Sequence, residues 1–554
     1  MSPGGRPGDP GGVVRFGDSA LLVAVDDPPA AARLAEAVRR AALAGVDDVI
    51  AGLRSVVLVL DGRPADLDDL VERLDAADRV APPPPAGRAH EVPTVFDGPD
   101  LAPLAGAVGA RPLQIVDALA GVTLRVAILG FSPGFAYLAG LPAPLDSVGR
   151  RATPRPVVPA GSVALAGGFA AVYPQATPGG WHLVGRTGLR LFDPATPPYS
   201  RFQPGDTVRF VPVAPGPAPA PGPGPGRAPW SVAPGRALAF TVGDPGFLTL
   251  VQDRGRLGVA HLGVPSAGPA DPVAHELANR LVGNPPGTAA LEITARGPAL
   301  TAGADLHVAV VGDDPVVSLD GREVAPGRVV PVRRGQVLAV GAVRAGLRAS
   351  LAVAGGLAVP VVMASCSTDT LSWVGPGPLR VGDQLGLGPA PPLGALADHL
   401  APGTGSAAGG PRTLRVVGGP HPGWFAPDAL ERLGAVRFVV DGASDRVGLR
   451  LQADGPADLG RRVGELDSLG MVTGAVQVPP DGRPVVLGPD HATLGGYPVL
   501  AVVIRADRGV LGQCRPGDRV HLVPVPMDEA DRAGRGLEHD LGRAAVGRYP
   551  VRPA

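Results

Sequence analysis

Apolar positions over residues 13–80 change period repeatedly, and the changes outline strand, helix, strand, helix. VVRFGDSALLVAV reads as a strand. AARLAEAVRRAALAG puts Leu34, Ala35, Val38, Ala41 and Ala42 at helical spacing, and RSVVLVLDG (54–62) is a short apolar strand ending at Asp61-Gly62. Helical spacing then returns with Leu67, Leu70, Val71 and Leu74. These elements predict a small α/β cap over 13–80, followed by the stiff APPPPAG linker at 81–87.

Beyond the cap the pattern is mainly β. Residues 90–213 read as mostly β, with two short helices at 100–109 and 111–120. The stretch 214–236 is almost all Pro, Gly and Ala, lacks periodicity and predicts an extended linker. Two more β domains are expected over 238–390 and 413–525, separated by a Gly/Ala/Pro-rich stretch near 389–411. One helix is signalled by Asp271 as cap, Pro272 at its first position and HELANRLVG after it. Residues 528–554 read as a frayed polar tail.

An internal echo supports repeated domains. QPGDTVRFVPV (203–213) matches RPGDRVHLVPV (515–525), VPAGSVAL (158–165) parallels VPPDGRPVVL (478–487), and TPGGW (177–181) parallels TLGGYP (493–498). Two copies of one β fold account for the shared order. The fold class expected is mainly β with a small α/β cap and tandem β domains of one fold.

Composition narrows the function. The 554 residues carry a net charge of −1, which provides no electrostatic footprint for nucleic acid or an anionic membrane. All 50 basic residues are Arg, so a P-loop lysine, a Schiff-base lysine and covalently attached biotin are excluded on this chain. Cys366 and Cys514 make no disulfide framework, and MSPGGRPGDPGG has no signal-peptide pattern. The uncharged run 349–368 is broken by Gly355, Gly356 and Pro360 and reads as buried strands. A soluble cytoplasmic chain without membrane or nucleic-acid partners is expected.

Several segments carry candidate chemistry. The Gly-rich loops GFSPGF (Phe131, Pro133, Gly134), TPGGW (Gly179, Gly180, Trp181) and LGGYP, preceded by Thr493, present backbone N–H groups suited to an anion, with Arg186 nearby. They serve equally as barrel corners. VQDRGRLG groups Gln252, Asp253 and Arg256: the Arg suits a phosphate or carboxylate clamp, and the Asp suits Mg²⁺ or orients that Arg. Asp271 starts a helix, where capping and anion binding coexist. Asn279, Asn284 and Glu292 read as structural polar contacts. Arg446 is a second clamp candidate. Asp490 and His491 are adjacent, which argues against a direct dyad in a strand, and leaves His491 as a candidate acid/base. His182, His261 and His421 show no metal-ligand spacing.

The two densest blocks are LGFSPGFAYLAGLP (129–142) with VPAGSVALAGG (158–168) and YPQATPGGWHLVGRTGLRLFDP (173–194), and PGFLTLVQDRGRLGVAHLGVPSAGPAD (245–271) with ANRLVGNPPGTAALEITARGP (278–298). The first resembles the B subunit of bacterial ATP-dependent 5-oxoprolinase (allophanate-hydrolase subunit 1-like), and the second resembles its C subunit (allophanate-hydrolase subunit 2-like). Related proteins are the carboxyltransferase domain of urea carboxylase (urea amidolyase) and a sporulation-kinase inhibitor with its antagonist. The resemblance covers roughly 13–213 and 238–525, as in a gene fusion of the two.

The resemblance implies tandem cyclophilin-like β-barrels over 90–213, 238–390 and 413–525, ATP with Mg²⁺, and as partner a separate A subunit, together converting 5-oxoproline to glutamate. It implies Arg256 and Arg446 as phosphate clamps, Asp253 and Asp271 as metal or orienting groups, and Ser162 and Gln477 as substrate contacts. No metal ligand set is legible, and a homo-oligomer stays open. The chain departs from the family pattern at Leu119, where a His is usual, at Leu124, at Phe169-Ala170, at Ala267 and at Cys366. Two other functions stay open: a carboxyltransferase that takes carboxybiotin from elsewhere, and a non-catalytic regulator of a sensor kinase.

Overall fold

The computed structural model describes residues 12–549 apart from 63–66, 80–86, 152, 215–229, 389–395, 401–410, 456 and 465. The stiff 81–87 segment and most of the 214–236 linker therefore lie outside the described residues.

The cap is a four-stranded antiparallel sheet in the order Val13–Arg15, Ala20–Ala24, Ser55–Leu60, Val46–Ala51, with helices Pro28–Ala41 and Leu67–Arg79. Asp27 caps the first helix, its Oδ1 accepting from the Ala30 N–H at 2.8 Å. Leu21, Val23, Val56 and Leu58 face the helices and pack on Leu34, Val38, Leu70 and Leu74. The alternate residues Leu22, Ile50 and Val57 point the other way, into a core shared with both barrels. This sheet is covered on both faces, which is why SVVLVL is a continuous apolar run rather than an alternating one.

The first barrel runs His182–Arg186, Ser162–Ala166, Phe169–Val172, Ala136–Ala139, Leu124–Leu129, Thr207–Pro212, Ala89–Thr94. Paired backbone bonds between Val95 and Arg186, 2.9 and 2.8 Å, link its ends. The last barrel is closed, in the order Val499–Val503, Ala475–Gln477, Val485–Leu487, Gly448–Ala453, Arg437–Val440, Arg519–Pro524, Arg412–Gly418. Strand for strand the two orders are the same. Each has one parallel pair, Thr207–Pro212 with Ala89–Thr94 and Arg519–Pro524 with Arg412–Gly418. Each also carries a small two-stranded flap, Arg155–Val158 with Thr177–Gly179 and Leu469–Gly470 with Leu494–Gly495.

Two of the three sequence echoes fall on equivalent positions. TPGGW and TLGGYP both build the flap's second strand, and the two PGD sequences make the same turn before the parallel strand. In that turn Gly205 (φ 91°) and Gly517 (φ 88°) are left-handed. Asp206 and Asp518 each accept from the N–H three residues back, Gln203 at 3.0 Å and Arg515 at 3.1 Å. The third echo does not align: VPAG precedes Ser162–Ala166, whereas VPPDG follows Ala475–Gln477, the strand equivalent to it. Gly and Pro recur at any tight turn, so the short match paired different corners.

Between the barrels, 238–387 forms two sheets rather than the single barrel expected over 238–390. One has seven strands (Leu238–Asp244, Ala299–Ala302, Pro315–Leu319, Arg322–Val324, Val337–Val343, Leu357–Ala358, Gln384–Leu387), and the other has five (Leu248–Gln252, Ala290–Thr294, Leu306–Gly312, Val329–Val332, Arg348–Val353). Phe240, Leu300 and Leu338 from one sheet share a core with Val251, Leu291, Val308 and Leu351 from the other. Helix Pro272–Leu281 lies outside the five-stranded sheet, packing Leu277 and Leu281 on Ala309 and Ala352.

The expected frayed tail is ordered through Tyr549. Met527–Arg543 is a helix that buries a narrow stripe of Ala530, Gly534 and Leu541. Arg15 bonds Asp531 at 3.2 Å, and Arg505 bonds Glu538 at 2.9 Å. Ala545–Tyr549 then pairs with Leu396–Leu400, inside the stretch taken as a separator. Small residues carry that stripe, so mean polarity hides it. One core spans cap, first barrel and last barrel: Phe16, Val57, Phe135, Tyr137, Trp181, Met471, Leu494 and Val502 belong to it.

Candidate functional site

A cavity of about 830 Å³ opens where the cap, the middle sheets and the last barrel meet. Ser19 and Asp48 line it from the cap, Ala270 and Arg348 from the middle sheets, and His491 and Arg508 from the last barrel. Beneath it lies a buried ionic network that joins several residues expected in the site.

Arg446 sits at the centre, 3% exposed. Its Nε donates to Asp490 Oδ2 at 2.7 Å, and its Nη2 to Asp490 Oδ1 at 2.9 Å and to the Gly268 carbonyl at 2.7 Å. Its Nη1 donates to Glu292. Burial opposes the charge, but Asp490 and Glu292 outweigh it and hold the guanidinium protonated. Asp490 also accepts from Thr370 N at 2.7 Å and Thr370 Oγ1 at 2.9 Å. Arg446 is therefore an internal tie between the last barrel and the middle sheets, not the free clamp expected. Glu292, read as a structural contact, is its partner and also accepts from Ala270 N at 2.6 Å.

Arg256 is likewise committed. Its Nε donates to Val362 O at 3.0 Å and its Nη2 to Ser367 O at 2.6 Å, while Nη1 is buried without a partner. Burial lowers its pKa against the attraction of Asp369, Asp253 and Asp490. Asp253, expected to hold a metal or orient Arg256, organises the same loop instead. Its Oδ1 accepts from Ser365 Oγ and Ser367 Oγ, both at 2.7 Å, and from Gly255 N at 2.9 Å, and its Oδ2 accepts from Cys366 N at 2.7 Å. Gln252 Nε2 bonds Thr368 O at 2.8 Å, leaving Oε1 buried and unpaired. Among the described residues, no group of three or more His, Cys, Asp or Glu is placed to hold a metal.

Asp271 caps its helix through Ala274 N at 2.9 Å and accepts from Gln513 Nε2 at 2.6 Å; burial pushes its carboxyl up to about 6. His491 and Thr493 line the cavity. His491 Nδ1 lies 2.8 Å from the Ala492 carbonyl, which only accepts, so Nδ1 carries the proton; burial lowers this pKa. Asp490 turns towards Arg446 and Thr370, away from His491. Gln477 sits behind the flap, its Nε2 3.2 Å from Met471 Sδ.

The first-barrel candidates lie elsewhere: none of Phe131, Pro133, Gly134, Ser162, Gly179, Gly180, Trp181 or Arg186 lines this cavity. GFSPGF is a docking loop. Gly134 N bonds Leu262 O at 2.9 Å, and Phe131 stacks edge-on against Phe135 with centroids 5.3 Å apart. Trp181 packs on Phe135 and Tyr137 at 5.5 and 5.6 Å. Gly179 makes room for Tyr173, and the Gly180 carbonyl accepts from Arg151 N at 2.8 Å. Ser162 Oγ donates to Pro159 O at 2.7 Å, and Arg186 Nε to Asp97 Oδ2 at 2.9 Å. These residues shape corners and seams, the alternative role that their Gly-rich composition permitted.

Leu119 and Leu124 are fully buried in the first barrel's core, so the absent polar groups leave no gap there. Cys366 is half-buried in the Asp253 loop, its thiol pushed up to about 11 by burial and by Asp253.

Sequence reasoning missed Asp48, Arg348, Asp369 and Arg508. Asp48 grips the middle sheets from the cap, accepting from Gly258 N at 3.0 Å and Ala260 N at 3.2 Å; burial pushes it up to about 7 against these bonds and that from Val49 N. Asp369 accepts from Ser372 N at 2.5 Å and Val374 N at 3.0 Å, and burial with nearby Asp490 pushes it up to about 6. Asp48 and Arg348 stand in strands, Asp369 in a loop and Arg508 at the start of a short helix, all outside the motifs that carried the sequence reading.

With this geometry in view, the relatives are informative. Residues 12–202 match the family model "Carboxyltransferase domain, subdomain C and D", and 262–524 match "Carboxyltransferase domain, subdomain A and B". The 5-oxoprolinase B subunit of Escherichia coli O157:H7 is 39% identical over 211 residues, covering 36% of this chain and 95% of that one. The 5-oxoprolinase C subunit of Escherichia coli K12 is 36% identical over 292 residues, covering 52% and 92%. The urea amidolyase of Saccharomyces cerevisiae is 32% identical over 305 residues, 52% of this chain but only 16% of that enzyme. The solved structure of TTHA0988 superposes with a TM-score of 0.80 at 35% identity, covering 91% of this chain and 99% of that one. The fold and site thus define a tandem carboxyltransferase-domain protein. The chain belongs to the 5-oxoprolinase/urea amidolyase family, with its B-like and C-like parts fused.

Proposed function

We propose that this chain is the fused B–C component of an ATP-dependent 5-oxoprolinase, acting with a separate A subunit. The observation that carries the reading is that one chain covers 95% of a B subunit plus 92% of a C subunit, with a cavity where its B-like cap meets its C-like domains. In the proposed chemistry the lactam oxygen of 5-oxoproline takes the γ-phosphoryl group of ATP and ADP leaves. The activated ring is then opened by water on the A subunit, giving glutamate and phosphate. Phosphoryl transfer asks the protein mainly for positioning and positive charge. The lysine-free cavity is suited to provide this through guanidinium groups, and Mg²⁺, when bound with the nucleotide, would neutralise phosphate charge.

The test mixes the purified chain with an A-subunit-like protein, ATP and 5-oxoproline. ADP and glutamate forming together, and only in the complete mixture, is the expected result; ADP without glutamate, or neither, overturns the reading. A carboxyltransferase role is the second reading, favoured by the 305-residue match to urea amidolyase. With no Lys in this chain, the biotin would sit on another protein, and carboxyl transfer from carboxybiotin with no 5-oxoproline turnover would select that role.

A further inference from the structure

We infer that Arg508 and Arg348 form an anion-recognising subsite in the central cavity, taking a carboxylate or phosphate of a small-molecule ligand. The inference rests on the reading of this cavity as the reacting site and names the residues that hold the ligand's charge.

The argument starts from the cavity's charges. Its carboxylates already have partners. Asp47 pairs with Arg254, Glu276 with Arg280 and Glu538 with Arg505. Asp48 and Asp445 accept backbone N–H groups, and Asp253 is filled by the Ser365–Ser367 loop. Asp61 is also partnered. Of the cavity's arginines, Arg254, Arg505 and Arg446 are thereby neutralised.

Arg508 is not. Its Nη2 donates to two neutral oxygens, Ser19 Oγ at 2.6 Å and Thr473 O at 3.3 Å, and its Nε has no partner. Among the described residues it forms no ion pair. The carboxylate that acts on it is Asp18, whose Oδ2 accepts from the Arg505 N–H at 2.8 Å and whose Oδ1 has no hydrogen-bond partner among the described residues.

Arg348, 6% exposed, donates Nη1 to Gly512 O. Its Nε forms an ion pair with Glu292 Oε1 at 3.7 Å and has no hydrogen-bond partner among the described residues. Glu292 is already engaged by Arg446 and Ala270. The two arginines meet at one short helix, Arg508–Gln513: Arg508 begins it, and Arg348 binds the Gly512 carbonyl near its end. Two guanidiniums held in fixed positions and lining one cavity, Arg508 without an ion pair among the described residues and Arg348 sharing Glu292 with Arg446, are suited to an anion.

The experiment is calorimetric binding to the full chain, without the A subunit, using four probes: inorganic phosphate, ATP, 5-oxoproline and neutral 2-pyrrolidone. At least one anion is expected to bind and 2-pyrrolidone is not. Arg508→Gln should weaken that binding at least tenfold and Arg508→Lys should recover part of it, while Arg209→Gln, which removes an exposed pair with Glu91, should leave it unchanged. Phosphate and ATP binding together would assign the subsite to phosphate; binding of 5-oxoproline alone would assign it to the carboxylate. Failure of every anion to bind the wild type, equal binding of 2-pyrrolidone, or affinity within twofold in folded Arg508→Gln overturns the inference. Should Arg508→Gln not fold, the same comparison is made with Arg508→Lys, for which a partial loss of anion affinity with retained discrimination against 2-pyrrolidone is the supporting result, and affinity equal to the wild type or binding of 2-pyrrolidone the opposing one. Anion binding without glutamate formation in the complete mixture would sink the proposed reaction and leave the subsite standing.

Discussion

Arg446 of the last barrel and Glu292 of the middle sheets form an ion pair across the domain boundary, each side chain 2% exposed. Asp490 completes the triad from the barrel side. Removing one member of such a group strands the others in a low-dielectric interior. Arg446→Ala should therefore lower unfolding free energy by about 3–5 kcal/mol, read from urea denaturation. Adding Glu292→Gln should recover part of the loss; a double variant that sums the two single losses would disprove the coupling.

Asp48 predicts a pH dependence. Its folded-state carboxyl, pushed up to about 7 by burial, lies above the ordinary value of 3.8. Between those values the folded state holds more protons than the unfolded one, so this group's stabilising contribution is full below about 3.8 and is lost as pH rises through about 7. Relative to the wild type, Asp48→Asn should gain stability from pH 4 to pH 8, on the order of a few kcal/mol. Urea midpoints across that range check it; a difference independent of pH would show that Asp48 does not titrate in the folded protein.

The seam between the first barrel and the middle sheets depends on Gly263. Its φ is 82°, and a Cβ there would approach the Ser132 carbonyl oxygen at 2.2 Å. Gly321 has a similar φ of 79° with nothing within 4 Å. Gly321→Ala should cost only the left-handed backbone penalty of about 1–2 kcal/mol. Gly263→Ala should cost clearly more and lower the thermal midpoint further. Equal shifts would mean that the seam yields freely.

Cap, first barrel and last barrel share one apolar core. Cutting the chain between Val213 and Trp230 should leave the two parts bound, since burial of that core rather than covalent connection holds them. A single peak at the intact mass in size-exclusion chromatography under native conditions is the expected outcome, and separation into two peaks the contrary one.

Much of the cap was legible because its helices repeat apolar residues at helical spacing, and the middle domain's helix was legible from Asp271 and Pro272 at its start. The barrel repeat was legible at the PGD turns, where a left-handed Gly and an Asp acceptor are chemically required. The C-terminal helix was not, since a stripe of Ala530, Gly534 and Leu541 barely changes the local polarity. Of the residues singled out, Arg446 and Asp490 bond each other, whereas Arg256 meets backbone carbonyls, Asp253 the Ser365–Ser367 loop, and Asp271 its own helix and Gln513.

The amino-acid order alone determined the kinds of element, the doubled barrel and the family, because periodicity, turn chemistry and motif order are local properties of the chain. Only the tertiary structure decided which charges are spent and which are spare. Arg446 and Arg508 look alike in sequence, yet one meets two carboxylates and the other meets neutral oxygens. That difference is made by partners distant in the chain, 44 and 154 residues away for Arg446 and 489 for Arg508, which no local pattern encodes.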